Sequence, residues 1–302
     1  MSPKPWALYM GCVIPNRLPY MELAMRETLR YFEIETSDIN GFTCCPNPLT
    51  LPHIDHHAAL AISARNLAIA EEQGLNLLTP CNGCFEALKG TAIKLKNDKA
   101  LHQEINAILA KTGHEFKGIV QVKHFIQLLF EDIGLGTIAE SVVNPLADLT
   151  AAVHVGCHIL RPSKLLNVDD AQRPMLLHQL VRALGAKTVF FQDEMDCCGY
   201  GTRPADRDLS LQMTANKIVN MKRAGAEALV AICPACTLQF DLMQRLALRN
   251  TEDKTPVPVF YYPELLNLAL GTPPEKLGFN SHRVKVDTVL AKLVPTHEQV
   301  IG

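Results

Sequence analysis

The sequence predicts an α/β protein made of two tandem, pseudo-twofold-related domains, each with a small, mainly parallel sheet flanked by helices. Strand-like and helical segments alternate along the chain, as they do around a parallel sheet. The cysteines fall in the same order in both halves, and residues 120–134 align without a gap to residues 257–271. Two long copies indicate duplication, because solenoids have shorter periods and more repeats. We expect domains at 1–140 and 141–302.

In the first half, short apolar segments predict strands, and apolar residues at helical spacing predict helices. The first strand runs into Gly11-Cys12, and a long helix ends at Gly74. A strand leading into a helix is predicted over the aligned copy. The predicted strands are 6–10, 34–39 and 75–79, with a fourth at the start of 120–134, and the predicted helices are 19–32 and 57–73.

The second half repeats this order. Its first strand runs into Gly156-Cys157, and its long helix ends at Gly225. Residues 134–150, which contain Asn144-Pro145, are predicted to be the linker. The tail after Gly271 is less periodic. The predicted strands are 151–155, 188–191 and 228–232, with a fourth at the start of 257–271, and the predicted helices are 169–184 and 206–224.

Composition excludes several classes of protein. The chain has 302 residues, 48% of them apolar, which is ample for a large core and argues against disorder. A net charge of −2 gives no electrostatic basis for binding nucleic acid. There is no apolar run long enough to span a bilayer and no signal peptide, so we expect a cytoplasmic protein without a transmembrane segment.

The ten cysteines form two sets with the order C, CC, CxxC. Each set follows the carboxyl ends of predicted strands, and in parallel sheets these ends gather at one edge, where ligands bind. In a reducing compartment, cysteines are more readily explained as metal ligands or reactive thiols than as disulfides. The sets are Cys12, Cys44, Cys45, Cys81, Cys84 and Cys157, Cys197, Cys198, Cys233, Cys236.

Five thiols per half favour an iron–sulfur cluster over a zinc site, disulfides or a redox-active CxxC. Zinc takes four tetrahedral ligands, and its common modules pair two CxxC units. Disulfides conflict with the expected compartment, and a redox CxxC of the thioredoxin kind leaves three cysteines without a role. An ordinary four-iron cluster uses four thiolates, so the fifth is either spare or part of an unusual cluster. The residues alone leave these alternatives open.

The cysteines lie within longer motifs that follow one another in a fixed order. The motifs are Met10-Gly-Cys-Val-Ile-Pro-Asn-Arg17, Cys44-Cys-Pro46, Ala64-Arg-Asn-Leu-Ala-Ile-Ala-Glu-Glu72, Cys81-Asn-Gly-Cys84, His154-Val-Gly-Cys-His158, Cys197-Cys-Gly199 and Cys233-Pro-Ala-Cys-Thr-Leu-Gln-Phe-Asp241. With these motifs in this order, the sequence resembles the B subunit of heterodisulfide reductase and the wider group of proteins with duplicated cysteine-rich CCG domains. The resemblance covers nearly the whole chain.

The resemblance implies that each five-cysteine set binds one noncubane [4Fe-4S] cluster. In the family, the disulfide of coenzyme M and coenzyme B lies between the two clusters and is reductively cleaved. The resemblance also implies two partner subunits. A ferredoxin-like iron–sulfur subunit of the C type would deliver electrons to this chain, and a flavin-containing subunit of the A type would supply electrons to the C-type subunit. Related complexes of sulfur-oxidising organisms act on carrier-bound sulfur, which is the alternative function. A non-catalytic electron-transfer or metal-binding scaffold is the alternative of another class.

Four further residues are candidates for contact with the substrate. His158 follows a predicted ligand and is a candidate proton donor to a departing thiolate, or a residue hydrogen-bonded to the cluster surroundings. Arg203, Lys217 and Gly199 are candidate substrate-binding residues, with solvated charge as the alternative for Arg203 and Lys217.

Three features are given ordinary structural interpretations. His154 is predicted to be a buried, hydrogen-bonded histidine. His53, His56 and His57 are attributed to an exposed helix start capped by Asp55. The family's glycine-rich stretch after the second CC pair is replaced here by residues 200–206, which indicates a different substrate surface.

Overall fold

The computed structural model describes residues 5–293, which form two four-stranded sheets with parallel pairing throughout. The sheets have the same topology, with spatial orders β2-β1-β3-β4 and β6-β5-β7-β8. The predicted α/β class and duplicated sheets are confirmed. The strands are β1 (Trp6–Leu8), β2 (Thr36–Ser37), β3 (Asn76–Thr79), β4 (Val122–His124), β5 (Thr150–His154), β6 (Lys187–Val189), β7 (Ala228–Ala231) and β8 (Val259–Tyr261).

Helices flank the two sheets and connect their strands. The segment Leu128–Ile133 continues α7 as a π-helix, and short 3₁₀ turns follow α6 and α12. The α-helices are α1 (Val13–Arg17), α2 (Pro19–Tyr31), α3 (Leu51–Ile54), α4 (His56–Glu72), α5 (Asn82–Asn97), α6 (Lys99–Leu109), α7 (Phe125–Gln127), α8 (Leu135–Glu140), α9 (Ser163–Leu166), α10 (Leu176–Ala183), α11 (Arg207–Arg223), α12 (Pro234–Ala247), α13 (Tyr262–Ala269) and α14 (Asp287–Leu293).

The repeat detected in the sequence has the same local structure in both copies. Strand β4 and strand β8 occupy equivalent positions in the gap-free alignment, and a helix follows each at once. Both helices begin with a capping box, at His124 and at Tyr261, in which the third helical residue bonds back to the backbone amide of the cap. The duplication therefore extends to the hydrogen bonds of the helix starts.

The helix predicted over residues 169–184 is too long at its start. Helix α10 begins at Leu176, and the residues before it form turns held by two carboxylates. Asp170 accepts from the amides of Gln172 at 2.8 Å and Arg173 at 3.1 Å, while Asp169 accepts from the amide of Leu176 at 2.7 Å. Aspartate competes with helix formation by bonding nearby amides, so the helix starts only after the second aspartate and the turn that it holds.

Residues 134–150 were expected to be a linker, but they are part of the folded body. They contain α8, and Leu146 and Leu149 are completely buried. The amides of Val143 and Asn144 both donate to the carbonyl of Ala269, at 3.0 and 2.9 Å. Burial of the two leucines fixes this connection against the core, which Asn144-Pro145 alone does not indicate.

The two halves share one hydrophobic core. Helix α2 packs on α13 of the other half, and α10 packs on α8. At the first contact, the Asn267 amide donates to the Ala24 carbonyl at 2.7 Å and to the Thr28 hydroxyl at 3.0 Å. The largest buried cluster accordingly contains residues of both halves. The predicted division after residue 140 falls at the end of α8, and the halves on either side exchange helix contacts.

Candidate metal centre

All ten cysteines are free thiols at the carboxyl edge of the two sheets. Cys12 and Cys157 follow β1 and β5, whereas Cys81 and Cys233 are the residues at which α5 and α12 begin. The exposed amides of a helix's first turn favour thiolate over thiol. The strand–loop–helix pattern of each half thus delivers its cysteines to one place, as the sequence predicts.

In the first set, the five thiols are neighbours in space. The sulfur atoms of Cys45 and Cys84 lie 3.1 Å apart in the interior. Cys44 interacts with Cys12 on one side and with Cys45 on the other. Gly11 permits this approach, since its φ is +68° and a Cβ there would lie 2.7 Å from the sulfur of Cys84.

The second set repeats this arrangement. Cys197 interacts with Cys157 and Cys198, and Cys236 interacts with Cys198 and Cys233. Two backbone amides also point at sulfur, from Gly199 to Cys197 at 3.4 Å and from Tyr200 to Cys198 at 3.5 Å. Gly156 is equivalent to Gly11, and a Cβ there would lie 3.5 Å from the sulfur of Cys236.

One thiol in each CC pair has a strongly lowered pKa. Hydrogen bonds from Cys44 and Cys84 lower the pKa of Cys45 to about 4. Hydrogen bonds from Cys157 and Cys198 lower the pKa of Cys197 to about 2. A lowered pKa favours the thiolate, which is the form that binds metal.

The two sets meet at the boundary between the halves. Cys81 of the first set interacts with Cys233 of the second. This contact joins the two sets, and the cysteines on one side of it follow the same order as their counterparts on the other side. From the adjacent start of α5, the Asn82 amide donates to the Val155 carbonyl at 2.7 Å. The pseudo-twofold relation therefore brings the two cysteine sets face to face.

His158 lies between the two sets. Its Nδ1 is hydrogen-bonded to the carboxylate of Glu86, which belongs to α5 of the other half. Burial disfavours the charged imidazolium, but the bond and charge of Glu86 outweigh burial and raise the pKa of His158. Its charge also lowers the pKa of Cys45, across the boundary. His158 therefore acts electrostatically on both halves.

The loops after the CC pairs close a cavity of about 60 Å³ beside the second set. Leu49, from the first half, lines it together with His158 and Tyr200 from the second. The Arg203 guanidinium lies 5.7 Å from the centre of the Tyr200 ring. Arg203 is thus next to a cavity residue, whereas the other predicted substrate-binding residues face elsewhere.

Lys217 and Gly199 do not face a substrate cavity. Lys217 is completely buried, and its ammonium donates to the carbonyls of Asp193 and Glu194. Lys217 was expected to bind an anionic substrate or to be a solvated charge. It does neither, because its ammonium is buried and bonds to these two backbone carbonyls. The Gly199 amide faces the thiol of Cys197 instead of open space.

His154 is buried, as predicted, with only 1% of its surface exposed. Neither ring nitrogen makes a hydrogen bond of good geometry with the described residues, although the backbone of Glu194 lies close enough to raise the pKa of the ring against the larger effect of burial. Within residues 5–293, one group of three metal-ligating atoms lies within 4.8 Å of one another, and it consists of His154, Cys198 and Cys236. Burial lowers the pKa of His154 to about 3, with a smaller effect from Lys217, so the ring is neutral.

Two further polar residues lie outside the cysteine sets. Asp55 caps α4 as expected, since its carboxylate accepts from the amide of Ala58 at 2.9 Å. Glu86, the partner of His158, has no counterpart among the sequence-based candidates. A glutamate two residues after a CxxC motif carries no signal of its own, and its partner lies 72 residues further along the chain.

Fold and cysteines together define a duplicated α/β protein with two facing five-cysteine sets. The model of the CCG cysteine-rich domain matches residues 6–89 and 151–241. The chain is 36% identical to the B subunit of the Ferredoxin/F(420)H(2)-dependent CoB-CoM heterodisulfide reductase of Methanosarcina acetivorans, over 95% of this chain and 96% of that protein. The chain belongs to the family of heterodisulfide reductase B subunits, which are duplicated CCG proteins.

Two further similarities concern a reductase from another organism and a solved structure. The chain is 31% identical to the 8-methylmenaquinol:fumarate reductase membrane anchor subunit of Wolinella succinogenes, over 92% of this chain and 96% of that protein. Across residues 5–293, every helix is too short or too polar to cross a membrane. A crystal structure of a hypothetical protein from Helicobacter pylori matches 95% of this chain and 53% of its own, with a TM-score of 0.75 and 16% identity, which shows the shared fold alone.

The residues fit an iron–sulfur cluster in their donor chemistry and in the close approach of their sulfurs. Thiolate is the ligand that iron–sulfur clusters use, and each set offers five thiols with glycine at the point of closest approach. Hydrogen bonds from backbone amides to the sulfurs, present in the second set, are among the features that tune such clusters. Cysteine-rich domains, family membership and donor set therefore agree on iron–sulfur chemistry.

Proposed function

We propose that this protein is the iron–sulfur catalytic subunit of a heterodisulfide reductase-like complex. It cleaves or forms a disulfide between two noncubane [4Fe-4S] clusters, one on each five-cysteine set, and the disulfide of coenzyme M and coenzyme B is its substrate. One observation carries this proposal: the two sets meet across the boundary between the halves, at the contact of Cys81 with Cys233, and His158 lies beside both.

Reduction of a disulfide to two thiols takes two electrons and two protons. When bound, the two clusters would supply the electrons one at a time. The chain itself would supply a proton through His158, whose Nδ1 is held by Glu86 so that Nε2 can hold or release a proton. Leu49 and Tyr200 border the adjacent cavity and limit access of water to it.

We also propose that the chain works as one of several subunits. Its relatives are named as subunits of larger reductases. A ferredoxin-like iron–sulfur subunit of the C type would deliver electrons, and a flavin-containing subunit of the A type would supply that subunit. Electron delivery from outside is required, because a disulfide cannot be reduced without a donor.

A second candidate substrate is sulfur bound to a carrier, as in sulfur-oxidising complexes. The loop that follows the second CC pair supports it, since Tyr200 lines the cavity and Arg203 lies over its ring. A bulky aromatic residue and a cation at this position suit a substrate with an anionic or extended group. The same two cysteine sets would serve either substrate.

The experiment is a thiol-release assay with anaerobically prepared, iron-loaded full-length protein and a reduced viologen dye as electron donor. Two thiols released per coenzyme M–coenzyme B disulfide would support the first proposal. Turnover of a lipoate-bound persulfide alone would support the second. Failure of both substrates to oxidise the dye or change the cluster spectrum would contradict catalysis and favour an electron-transfer scaffold.

A further inference from the structure

His154 and Tyr9 occupy equivalent positions in the two halves but differ in their hydrogen bonding. Each lies three residues before the lone cysteine of its set. The Tyr9 hydroxyl donates to the carbonyl of Thr43 at 2.6 Å, so its polar atom has a partner. Both ring nitrogens of His154 lack one among the described residues, although the side chain is 99% buried. A buried polar group without a partner is costly, so another group is expected to satisfy His154.

The nearest chemically suitable atoms are two sulfurs of the second set. A ring nitrogen of His154 lies within 4.8 Å of the sulfurs of Cys198 and Cys236. The ring stands edge-on to Phe240, with 5.2 Å between ring centres, and Phe240 is itself completely buried. The aromatic contact restricts the ring, and burial of both side chains shields it from solvent.

We propose that His154 donates a hydrogen bond to the thiolates of Cys198 and Cys236 and thereby makes the second metal centre different from the first. This inference rests on the proposal that the second set binds an iron–sulfur cluster. A ring N–H directed at a thiolate withdraws negative charge from the sulfur and stabilises the reduced cluster, which raises its reduction potential. At the first centre, the hydroxyl of Tyr9 faces a carbonyl and supplies no such bond.

A hydrogen bond at one centre only would set the order in which the two centres are reduced. The amides of Gly199 and Tyr200 also donate to sulfurs of the second set. Each donor stabilises the reduced cluster, so the second centre accepts its electron first. His154 is thus a positioning and tuning residue that acts through the cluster ligands, and it does not contact the substrate. The inequivalence of the two halves would give direction to electron flow within a symmetric fold.

The test uses the iron-loaded full-length chain with ¹⁵N-labelled histidine. Pulsed EPR of the reduced wild type should show a weak histidine nitrogen coupling at one centre, and this coupling should be lost in His154→Gln. In a redox titration, His154→Leu should shift one of the two potentials to more negative values, while His154→Gln, which keeps an N–H donor, should recover most of the shift. Tyr9→Phe is the matched control and should leave both potentials unchanged.

Iron and sulfide content is measured first in every variant. Wild type without iron would contradict the proposed function and this inference with it. With normal iron, unchanged potentials in His154→Leu or an unchanged nitrogen coupling in His154→Gln would overturn the inference alone. A coupling as strong as that of a directly bound histidine would also overturn it, since His154 would then be a ligand. Should His154→Leu fail to load iron, the comparison of labelled wild type with His154→Gln decides the question.

Discussion

A carboxylate from one half determines how a histidine from the other half is presented. The Glu86 carboxylate is hydrogen-bonded to Nδ1 of His158, and both side chains are about one-fifth exposed. This bond fixes the orientation of the ring and stabilises its protonated form. Because the pair spans the boundary between the halves, the proposed proton donor is in place only when both halves are assembled.

We expect His158→Gln to lower the rate of disulfide reduction by about 10²-fold, the lower part of the range for loss of a general acid. Glu86→Gln keeps the side-chain shape and removes the charge, so it should lower the rate by a smaller factor. Dye-linked thiol release measures both rates. Iron content must stay at the wild-type value in each variant, and a full rate in His158→Gln would exclude a role in proton transfer.

We expect Gly11→Ala to impair binding of iron to the first set only. The new Cβ would lie 2.7 Å from the sulfur of Cys84, and the positive φ adds strain. Iron and sulfide per chain should fall to about half, because about four of eight irons are lost. Gly74→Ala is the control, since it has a φ of +70° with no atom within 4 Å of the new Cβ. Equal loss of iron in both variants would show that backbone strain is the cause.

The cysteines could be predicted from the sequence because their spacing repeats, whereas their polar neighbours could not. Glu86 contacts His158 only through the packing of α5 against the other half. Lys217 lies on a helix with many charges, and its burial depends on the Asp193 and Glu194 carbonyls that receive it. His154 was placed in the interior correctly, but its missing hydrogen bonds are visible only once its surroundings are known.

At the scale of the elements, carboxylates on two helices hold the segment that follows Gly271. Glu264 of α13 accepts from the Tyr261 amide at 2.7 Å and is hydrogen-bonded to the His282 ring at 2.8 Å, and the side chains of Glu264 and His282 are fully buried. Asp241 of α12 accepts from the amides of Arg283, at 2.9 Å, and Val284, at 2.9 Å. Residues 282–284 are therefore held to α12 and α13 by buried carboxylates.

We expect His282→Ala to lower the free energy of unfolding by about 3 kcal/mol, as is usual when one partner of a buried ion pair is removed. Thermal or urea unfolding measures the difference. His114→Ala is the control, because its pair with Glu72, at 2.9 Å, lies nearer the surface and should contribute less than about 1 kcal/mol. A similar loss in both variants would argue against a buried ion pair at His282.

The contribution of His282 also depends on pH. Burial opposes the charged ring, but the Glu264 charge outweighs burial and raises the pKa of His282. Its stabilising effect is therefore complete below the unfolded-state pKa of about 6.5 and is lost as pH rises through the folded-state value. The difference in unfolding free energy between wild type and His282→Gln should shrink towards alkaline pH. A difference that grows with pH would contradict this account.

The elements themselves were predictable where a strong local pattern exists. Strands β3 and β7 and helices α2, α4 and α11 begin and end close to their expected bounds. The errors arose where side chains bond to nearby backbone, as at Asp170, or where tertiary burial holds an irregular segment, as at Leu146. Neither effect produces a periodic signal in the sequence.

At the scale of the whole molecule, the pseudo-twofold exchange of helices joins the halves into one body. Helix α2 covers α13, and α10 covers α8. The same exchange places α5 beside His158, where Glu86 bonds the imidazole. Duplication thus accounts for both the shared core and the facing of the two cysteine sets.

We therefore expect a chain of residues 1–140 to lack a cooperative fold when expressed alone. Helix α2 would lose α13, including the hydrogen bonds of Asn267 to Ala24 and Thr28. Coexpression with residues 141–302 should restore a soluble, iron-binding complex. Circular dichroism during thermal unfolding measures the fold of each piece, and a sharp transition for the isolated half would show that the domains are independent.

The two five-cysteine sets are proposed to hold two iron–sulfur clusters. Anaerobic iron and acid-labile sulfide analysis tests this proposal most directly, in wild type and in Cys84→Ala and Cys236→Ala, which each alter one set. We expect about eight irons and eight sulfides per wild-type chain and about four of each in either variant. Zinc without acid-labile sulfide in the wild type would contradict it.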